Sequence, residues 1–448
     1  MRADLGFPKD FVFGVATSAY QIEGAAFEDG RIPSQWDTFS HTPGKTYRGE
    51  TGDVACDHYH RYREDVELIA GLGVSSYRFS FAWPRVLTEE RKPNQKGLDF
   101  YRRLLDELDK HQIRPAATLY HWDLPQWLSD RGGWANRDTV GYFTDYAELL
   151  LRTFGDRIPQ WITHNEPWCA SFLSYGIGAH APGHQDWREA VMASHHILLS
   201  HGEVVKGYRG MGLKGQIGIT LNLNVTDPRT DSEADKEAAR RGDGFQNRWF
   251  LDPLFRGGYP DDMREIFRPY VQDYRFIHPD DEATIATPMD FLGVNYYNRA
   301  VVYNHPADTF LQMGHVIPPA ETMTAMGWEV HPNSLYRLLK RVNRDYTRLP
   351  LYITENGAAY EDTVDAEGRV HDAKRRAFVE AHLEAARQFV EEGGTLKGYY
   401  LWSLMDNFEW GFGYSKRFGI VYVDFDTQQR ILKDSALWYR EVARSHRS

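Results

Sequence analysis

Short apolar runs rich in β-branched residues recur along the chain, and each is followed by a cluster of polar side chains. The eight runs are Phe11–Thr17, Ser75–Phe81, Arg114–Tyr120, Trp161–His164, Gln216–Leu221, Phe291–Asn295, Leu351–Thr354 and Gly398–Trp402. Between them, apolar residues spaced three and four positions apart predict amphipathic helices. These are Tyr59–Gly71, Gly97–His111, Thr139–Phe154, Trp187–Tyr208, Pro332–Asn343 and Asp372–Glu392. Such alternation indicates parallel strands covered by helices.

The polar residues at the ends of the runs decide between a doubly wound sheet and a closed barrel, which share this alternation. They are Arg78, His121-Trp122, Asn165-Glu166, Asn295 with Tyr297, Glu355-Asn356 and Trp402. Side chains on so many strand ends converge only if the strands form a ring. With no linker or low-complexity tract in the chain, we predict a single domain over residues 1–448. It is a (β/α)8 TIM barrel with the active site at the C-terminal ends of its strands.

The longest insertions also follow predicted strands. They are Gln21–Asp57 after the first strand, Pro167–Asp186 after the fourth, Asn298–Trp328 after the sixth and Met405–Phe425 after the eighth. Loops on that face would wall a deep pocket, which suits a compact ligand better than a long polymer.

The composition of the chain argues against several classes of binding partner. The 448 residues carry a formal net charge of −11, which argues against nucleic acid and against anionic membrane surfaces. No window approaches the roughly 20 apolar residues that span a bilayer. The two cysteines, Cys56 and Cys169, cannot form a disulfide framework, so we expect a cytoplasmic protein. The oligomeric state is left open.

Two clusters each place a glutamate beside an asparagine at the end of an apolar run. They are Thr163-His164-Asn165-Glu166-Pro167 and Tyr352-Ile353-Thr354-Glu355-Asn356-Gly357. Glutamate is rarely buried without a partner, so either residue taken singly could belong to a structural ion pair. Two carboxyl groups on one barrel face, in contrast, are what the cleavage of a glycosidic bond requires.

These two clusters make the chain resemble glycoside hydrolase family 1, the retaining β-glucosidase family, and the resemblance extends from end to end. The Asn-Glu-Pro and Thr-Glu-Asn-Gly segments are similar to that family's acid/base and nucleophile motifs. Four further segments match family motifs in the same order: Ala19–Gly24, Tyr120–Pro125, Gly293–Tyr297 and Trp402–Trp410.

The resemblance implies a role for each catalytic residue. Glu355 would be the nucleophile, kept ionised by Arg78 and Tyr297. Glu166 would be the acid and then the base, with its pKa raised chiefly by the negative charge of Glu355. The implied reaction is the hydrolysis of terminal non-reducing β-D-glucosyl residues from a small glucoside or short oligosaccharide by double displacement, and β-galactosides and β-fucosides are expected as secondary substrates.

The resemblance also implies the groups that recognise the sugar. Those expected to bind substrate are Gln21, His121, Asn165, Tyr297, Trp402, Glu409 and Trp410. Trp402 would stack under the sugar ring, and Asn165 would hold the 2-hydroxyl. Trp168 and Trp328 would line the entrance and meet the leaving group. No cofactor is implied. His164, next to Asn165, should face the other way and be a packed, hydrogen-bonded histidine.

The sequence bears on three alternatives: a metal-dependent enzyme, a non-catalytic sugar-binding barrel and a 6-phospho-β-glycosidase. The densest histidine cluster, His195, His196 and His201, lacks the i, i+4 spacing of helical metal ligands, so no metal site is predicted. A non-catalytic sugar-binding barrel would be expected to lack one of the two glutamates. A 6-phospho-β-glycosidase remains the serious rival. Glu409 argues against it, because an ionised carboxylate would repel the phosphate. Lys416 could still reach a phosphate, but Phe418 has no hydroxyl.

Overall fold

The eight predicted strands all form in the computed structural model, which describes residues 5–89 and 91–447. The ends of the predicted 1–448 domain therefore lie outside the described residues. The strands are β1 Val12–Ala16, β2 Ser76–Ser80, β3 Arg114–Tyr120, β4 Gln160–Asn165, β5 Gln216–Asn222, β6 Phe291–Asn295, β7 Leu351–Asn356 and β8 Leu396–Trp402.

The eight strands close into one parallel barrel. Each pairs with the next along the chain, and β1 pairs with both β2 and β8. The closed order confirms the barrel and excludes the doubly wound sheet. Because the strands are parallel, all of their carboxyl ends open at the same end of the barrel. Most strand residues are buried, since one set fills the barrel and the other packs under helices.

Helices cover the outside of the barrel, and the six predicted ones are confirmed with small shifts at their ends. They span His58–Leu72, Gln95–Lys110, Asp138–Phe154, Trp187–Gly210, Pro332–Asp345 and Ala373–Glu391. The sequence analysis missed Glu233–Asp243, Trp249–Arg256, Asp261–Val271 and Asp434–Arg447. The helix Asp434–Arg447 packs between the helices His58–Leu72 and Ala373–Glu391 and so completes the outer layer of helices. Its buried face is mostly small residues such as Ala436 and Ala443, which give a weak apolar signal.

The shorter elements lie mainly in the loops. The short helices include Ala19–Ile22, Gln35–His41, Trp83–Val86, Gln126–Ser129 and Asp281–Ile285, and π-helical turns span Cys169–Ile177 and Gly244–Arg248. A three-stranded sheet joins Thr226–Pro228, Ala300–Asn304 and Met313–His315, and a two-stranded sheet joins Val421–Val423 and Arg430–Leu432. Within the described residues, no helix is both long enough and apolar enough to cross a membrane.

A buried ion-pair network anchors the loop after β8. Lys433 is fully buried, and its Nζ lies 2.6 Å from Asp362 Oδ2 and 2.8 Å from Asp406 Oδ1. Arg417 Nη1 donates to the other Asp406 oxygen at 2.7 Å. Arg375, on the helix Ala373–Glu391, donates to both oxygens of Asp362. Asp406 stands three residues before Glu409, so the network ties one wall of the candidate site to the outer helices.

Candidate active site

A cavity of about 500 Å³ opens at the carboxyl ends of the barrel strands. Nine of the twelve predicted site residues line it: His121, Glu166, Trp168, Tyr297, Trp328, Glu355, Trp402, Glu409 and Trp410. The other three, Gln21, Arg78 and Asn165, are fully buried and bond to residues of the cavity wall. The structure thus brings together all twelve residues from strands and loops that are far apart along the chain.

Glu355 lies on β7 and is held by a cation and a phenol. Arg78 Nη1 donates to its Oε1 at 2.7 Å, and the Tyr297 hydroxyl donates to its Oε2 at 2.6 Å. Burial raises the pKa of Glu355 above its ordinary value, while Arg78 and Tyr297 act in the opposite direction. Both contacts stabilise the ionised form of Glu355 relative to its protonated form.

Glu166 directly follows β4 and has only neutral hydrogen-bond partners. Asn295 Nδ2 donates to its Oε1 at 2.7 Å, and Cys169 Sγ donates to its Oε2 at 3.0 Å. Its backbone has φ +53°, a left-handed conformation that is uncommon for a non-glycine residue and that turns the chain out of the strand.

The two carboxyl groups therefore differ in acidity. The pKa of Glu166 is raised to about 7, first by burial and second by the charge of Glu355. The expectation that the charge of Glu355 is the chief cause of the raised pKa is wrong. Removal from water is the larger effect, because Glu166 has no cation of its own to offset it.

A continuous set of hydrogen bonds connects Glu166 to Glu355. Asn295 Nδ2 bonds Glu166 and also Asn165 Oδ1 at 3.0 Å. Arg78 Nη2 donates to the same Asn165 oxygen at 2.7 Å, and Nη1 of the same guanidinium reaches Glu355. The relative position of the two carboxyl groups is consequently set by buried side chains on β2, β4 and β6.

The same bonds determine the proton position on His121. Asn165 Oδ1 accepts from Arg78 and Asn295, so Asn165 Nδ2 is the group that faces His121 Nε2, at 3.1 Å. An amide NH₂ can only donate, so Nε2 accepts and the ring proton sits on Nδ1. Burial and the charge of Arg78 hold the pKa of His121 well below its ordinary range. The imidazole is therefore neutral.

Aromatic rings form much of the cavity wall. The ring of His121 lies nearly parallel to the rings of Trp402 and Trp410, and its centroid is 5.9 Å from the first and 6.0 Å from the second. Trp328 packs against Tyr297 at 5.3 Å. Trp168 is half-buried and also borders the cavity. Flat apolar faces beside hydrogen-bonding groups match the two surfaces of a sugar ring.

Glu409 lies in the wall near both catalytic candidates. Gln21 Nε2 donates to its Oε2 at 3.4 Å and more closely to Phe408 O and Asn407 Oδ1. Burial, with the charges of Glu355 and Glu166, raises the pKa of Glu409 to about 8. An ionised Glu409 was expected from the sequence, whereas the raised pKa favours the protonated form of this carboxyl group. It can then donate one hydrogen bond and accept another.

Several residues that shape the site were missed in the sequence analysis. Asn295 appeared there only as a strand end, yet it bridges Glu166 and Asn165. Cys169 appeared only as one of the two cysteines. His180 and Trp122 line the cavity, and Trp122 Nε1 donates to Asn165 O. A polar residue at a strand end was a usable signal for Asn295. Nothing in the spacing marked Cys169, since its contact depends on side-chain direction.

The histidines outside the cavity have other contacts. His195 bonds Asp281 and Tyr259, His196 bonds Trp134 O, and His201 bonds Thr163. Across residues 5–89 and 91–447, no group of three or more His, Cys, Asp and Glu side chains could hold a metal ion.

His164 faces away from the cavity, as predicted for a neighbour of Asn165 on the same strand. Its Nε2 contacts Ser200 Oγ at 2.8 Å, and its ring packs against Phe143 at 4.5 Å. It is not fully satisfied, because its buried Nδ1 has no hydrogen-bond partner among the described residues.

A barrel that opens into an aromatic-walled cavity, with two buried carboxyl groups of unequal acidity at its strand ends, defines a glycosidase. Comparison with known proteins supports this class. The family model of Glycosyl hydrolase family 1 matches residues 4–448 of this chain. The chain belongs to glycosyl hydrolase family 1.

Three relatives illustrate the similarity. The chain is 47% identical to beta-glucosidase A of Acetivibrio thermocellus over 442 residues, with 98% of each chain covered. It is 45% identical to a bifunctional beta-D-glucosidase/beta-D-fucosidase of Bifidobacterium breve, also with 98% of each covered. A solved structure of a beta-glucosidase from Thermotoga maritima in complex with deoxynojirimycin superimposes with a TM-score of 0.95. That protein is 47% identical, and the match covers 98% of this chain and 99% of the other.

Proposed function

We propose that this protein is a retaining β-glucosidase that hydrolyses terminal non-reducing β-D-glucosyl residues, with Glu355 as nucleophile and Glu166 as acid/base. The observation that carries the proposal is the contrast between the two buried carboxyl groups. Arg78 and Tyr297 favour the ionised form of Glu355, whereas Glu166 has neutral partners and a pKa of about 7. A nucleophile needs the first environment, and a general acid needs the second.

The first half-reaction makes a covalent intermediate. A Glu355 oxygen forms a bond to the anomeric carbon as the bond from that carbon to the leaving oxygen breaks. The proton of Glu166 moves to the leaving oxygen, and the aglycone departs as an alcohol. The glucosyl group is then an ester of Glu355, and Glu166 carries the negative charge.

The second half-reaction reverses these roles. Esterification removes the charge of Glu355, which is the second cause of the raised pKa of Glu166. The pKa of Glu166 should fall, so it remains ionised until it takes a proton from water. The water oxygen bonds to the anomeric carbon and the ester bond breaks. Glucose leaves with its original configuration, and both carboxyl groups return to their starting states.

Sugar recognition is proposed for the residues around these carboxyl groups. Glu409 and Gln21 would bond adjacent hydroxyl groups, and His121 and Asn165 would bond others near the anomeric carbon. Trp402 would stack on the apolar ring face, with Trp410 beside it. Trp168 and Trp328 line the cavity and would meet the aglycone.

The proposed substrates are small unphosphorylated β-glucosides and short oligosaccharides. β-Galactosides and β-fucosides are secondary candidates. The relative from Bifidobacterium breve, named for both glucosidase and fucosidase activity, supports the fucoside. The deoxynojirimycin complex of the Thermotoga maritima enzyme supports a small-molecule sugar site. The two cysteines are free and buried, and a cytoplasmic location stays a prediction.

The contacts of two residues argue against a phosphorylated sugar more directly than the charge of Glu409 does. Lys416 Nζ donates to Ala325 O at 2.7 Å, so the candidate phosphate-binding amine already has an acceptor. Phe418 packs against Tyr297 and Trp328 with centroids about 6 Å away. A benzyl side chain supplies no donor for phosphate oxygens.

The stereochemistry of rescue by azide tests the assignment of the two glutamates. Glu355→Gly should lose hydrolysis while retaining the fold, and azide should restore turnover of an activated aryl β-glucoside to give the α-glucosyl azide. Glu166→Ala should still form the intermediate from an activated substrate, and azide should then give the β-glucosyl azide. NMR of the products distinguishes the anomers. The opposite stereochemistry would show that the two roles are exchanged.

A further inference from the structure

The thiol of Cys169 contacts the carboxyl group of Glu166 from the cavity wall. Cys169 Sγ lies 3.0 Å from Glu166 Oε2, while Asn295 Nδ2 occupies Oε1. Cys169 lies three residues after Glu166 and is 7% exposed. It is the first residue of the π-helical turn Cys169–Ile177, and its backbone oxygen accepts a hydrogen bond from Ser174 Oγ at 2.8 Å.

The neighbours of the sulfur determine the direction of this hydrogen bond. Asn222 Nδ2 lies 3.6 Å from Cys169 Sγ and can only donate, so it faces a sulfur lone pair. The S–H is left to point at Glu166 Oε2. Burial and the charge of Glu166 raise the pKa of Cys169 well above its ordinary value. The thiol therefore keeps its proton and does not compete with Glu166 as an acid.

We propose that Cys169 is a positioning residue for the acid/base steps: its S–H holds Glu166 Oε2 and stabilises the ionised form of Glu166. This inference rests on the proposed role of Glu166. When Glu166 has given its proton to the leaving group, its two oxygens face two donors, the Asn295 amide and the Cys169 thiol. Each oxygen of the carboxylate thus accepts one hydrogen bond in the covalent intermediate and keeps a lone pair for the proton of the attacking water.

The inference predicts how removal of the thiol changes the acidity of Glu166. The other charged or titratable groups that face Glu166 are Glu355 on β7, Arg78 on β2, Tyr297 after β6 and Glu409 after β8. Substitution of Cys169 leaves all four in place. A lost donor to the carboxylate disfavours the ionised form, so the pKa of Glu166 should rise.

The experiment compares Cys169→Ala, Cys169→Ser and the control Cys56→Ala with the wild-type enzyme. Cys56 is also buried, but its thiol donates to the backbone oxygen of Asp406. The assay is the pH profile of kcat/KM for phenyl β-D-glucoside, whose poor leaving group requires protonated Glu166. In Cys169→Ala the alkaline limb should move up by about half to one pH unit. Cys169→Ser retains a donor and should stay near wild type, as should Cys56→Ala.

Two outcomes would overturn the inference. One is an alkaline limb in Cys169→Ala that coincides with that of wild type. The other is an equal shift in Cys169→Ala and Cys169→Ser, because loss of the donor would then not be the cause. Thermal unfolding of each variant separates a packing defect from a change in acidity. If Glu166→Ala kept full activity on the phenyl glucoside, the proposed function itself would fail, whatever the Cys169 variants showed.

Discussion

Removal of the Tyr297 hydroxyl should change the pH range in which the nucleophile works. This phenol donates to Glu355 Oε2 at 2.6 Å, and Arg78 Nη1 donates to Oε1 at 2.7 Å. The pKa of Tyr297 is itself raised well above its ordinary value, chiefly by burial, so the group is a neutral donor throughout the assay. Tyr297→Phe removes one stabilising contact from the ionised form and leaves the carboxyl group in place.

The sign and size of the effect follow from that contact. A donor to a carboxylate favours the ionised form, so its loss should raise the pKa of Glu355. Hydrogen bonds to charged groups contribute about 1.5–3 kcal/mol, which corresponds to roughly one to two pKa units. Activity requires ionised Glu355 and is lost as the pH falls through its pKa. The acid limb of the profile should therefore move up by about one to two pH units.

The assay is kcat/KM against pH for a dinitrophenyl β-D-glucoside, whose leaving group needs no proton from Glu166. The limbs report the coupled pair of carboxyl groups, so the difference from wild type is the measured quantity. Tyr296→Phe is the matched control, because the Tyr296 hydroxyl donates to His331 O instead. An acid limb that stayed in place in Tyr297→Phe, or that moved equally in Tyr296→Phe, would refute the reasoning.

Three further results are expected. Lys433→Met should destabilise the fold by about 3–5 kcal/mol in denaturant unfolding, because it leaves Asp362 and Asp406 buried without their shared cation; a loss below about 1 kcal/mol, as expected for an exposed pair, would contradict this. Glu409→Ser should lower kcat/KM for a β-glucoside about 30- to 150-fold, from two lost hydroxyl contacts, and shift relative activity toward the 6-phosphate; a wild-type preference for the phosphorylated sugar would disprove the proposed substrate. Exhaustive treatment with a chelator should leave activity unchanged, since Glu355 and Glu166 are the proposed reacting groups; activity restored by one divalent ion would show otherwise.

The strands were predictable because each one corresponds to a short apolar run that can be identified from neighbouring residues alone. The apolar runs ending at Tyr120 and Asn295 coincide with β3 and β6, and all eight strands were identified. The errors were at strand ends. Asn165 and Glu355 were placed just after their strands but lie on them, where the pairing register shifts beside Ile162 and Ile353. A bulge depends on both paired strands, so one strand's own residues do not reveal it.

Residue identity in the short motifs was enough to nominate Glu166 and Glu355, because few structural roles place a glutamate at the end of an apolar strand. It was not enough to predict their acidities. Burial outweighs the charge of Glu355 at Glu166, and it raises the pKa of Glu409 and so favours its neutral form. Exclusion of water is a property of the closed cavity, to which strands and loops from the whole chain contribute.

From the sequence alone, local periodicity predicted the barrel and the short motifs predicted the two carboxyl groups, while the residues around them were expected from the resemblance to glycoside hydrolase family 1. Only the tertiary structure decided which atoms meet. It joined Glu166 to Asn295 and Cys169, and it placed the imidazole proton of His121 on Nδ1 through Asn165. The physical reason is that hydrogen bonds are directional and act over about 3 Å, so they depend on side-chain positions that many packed elements fix together.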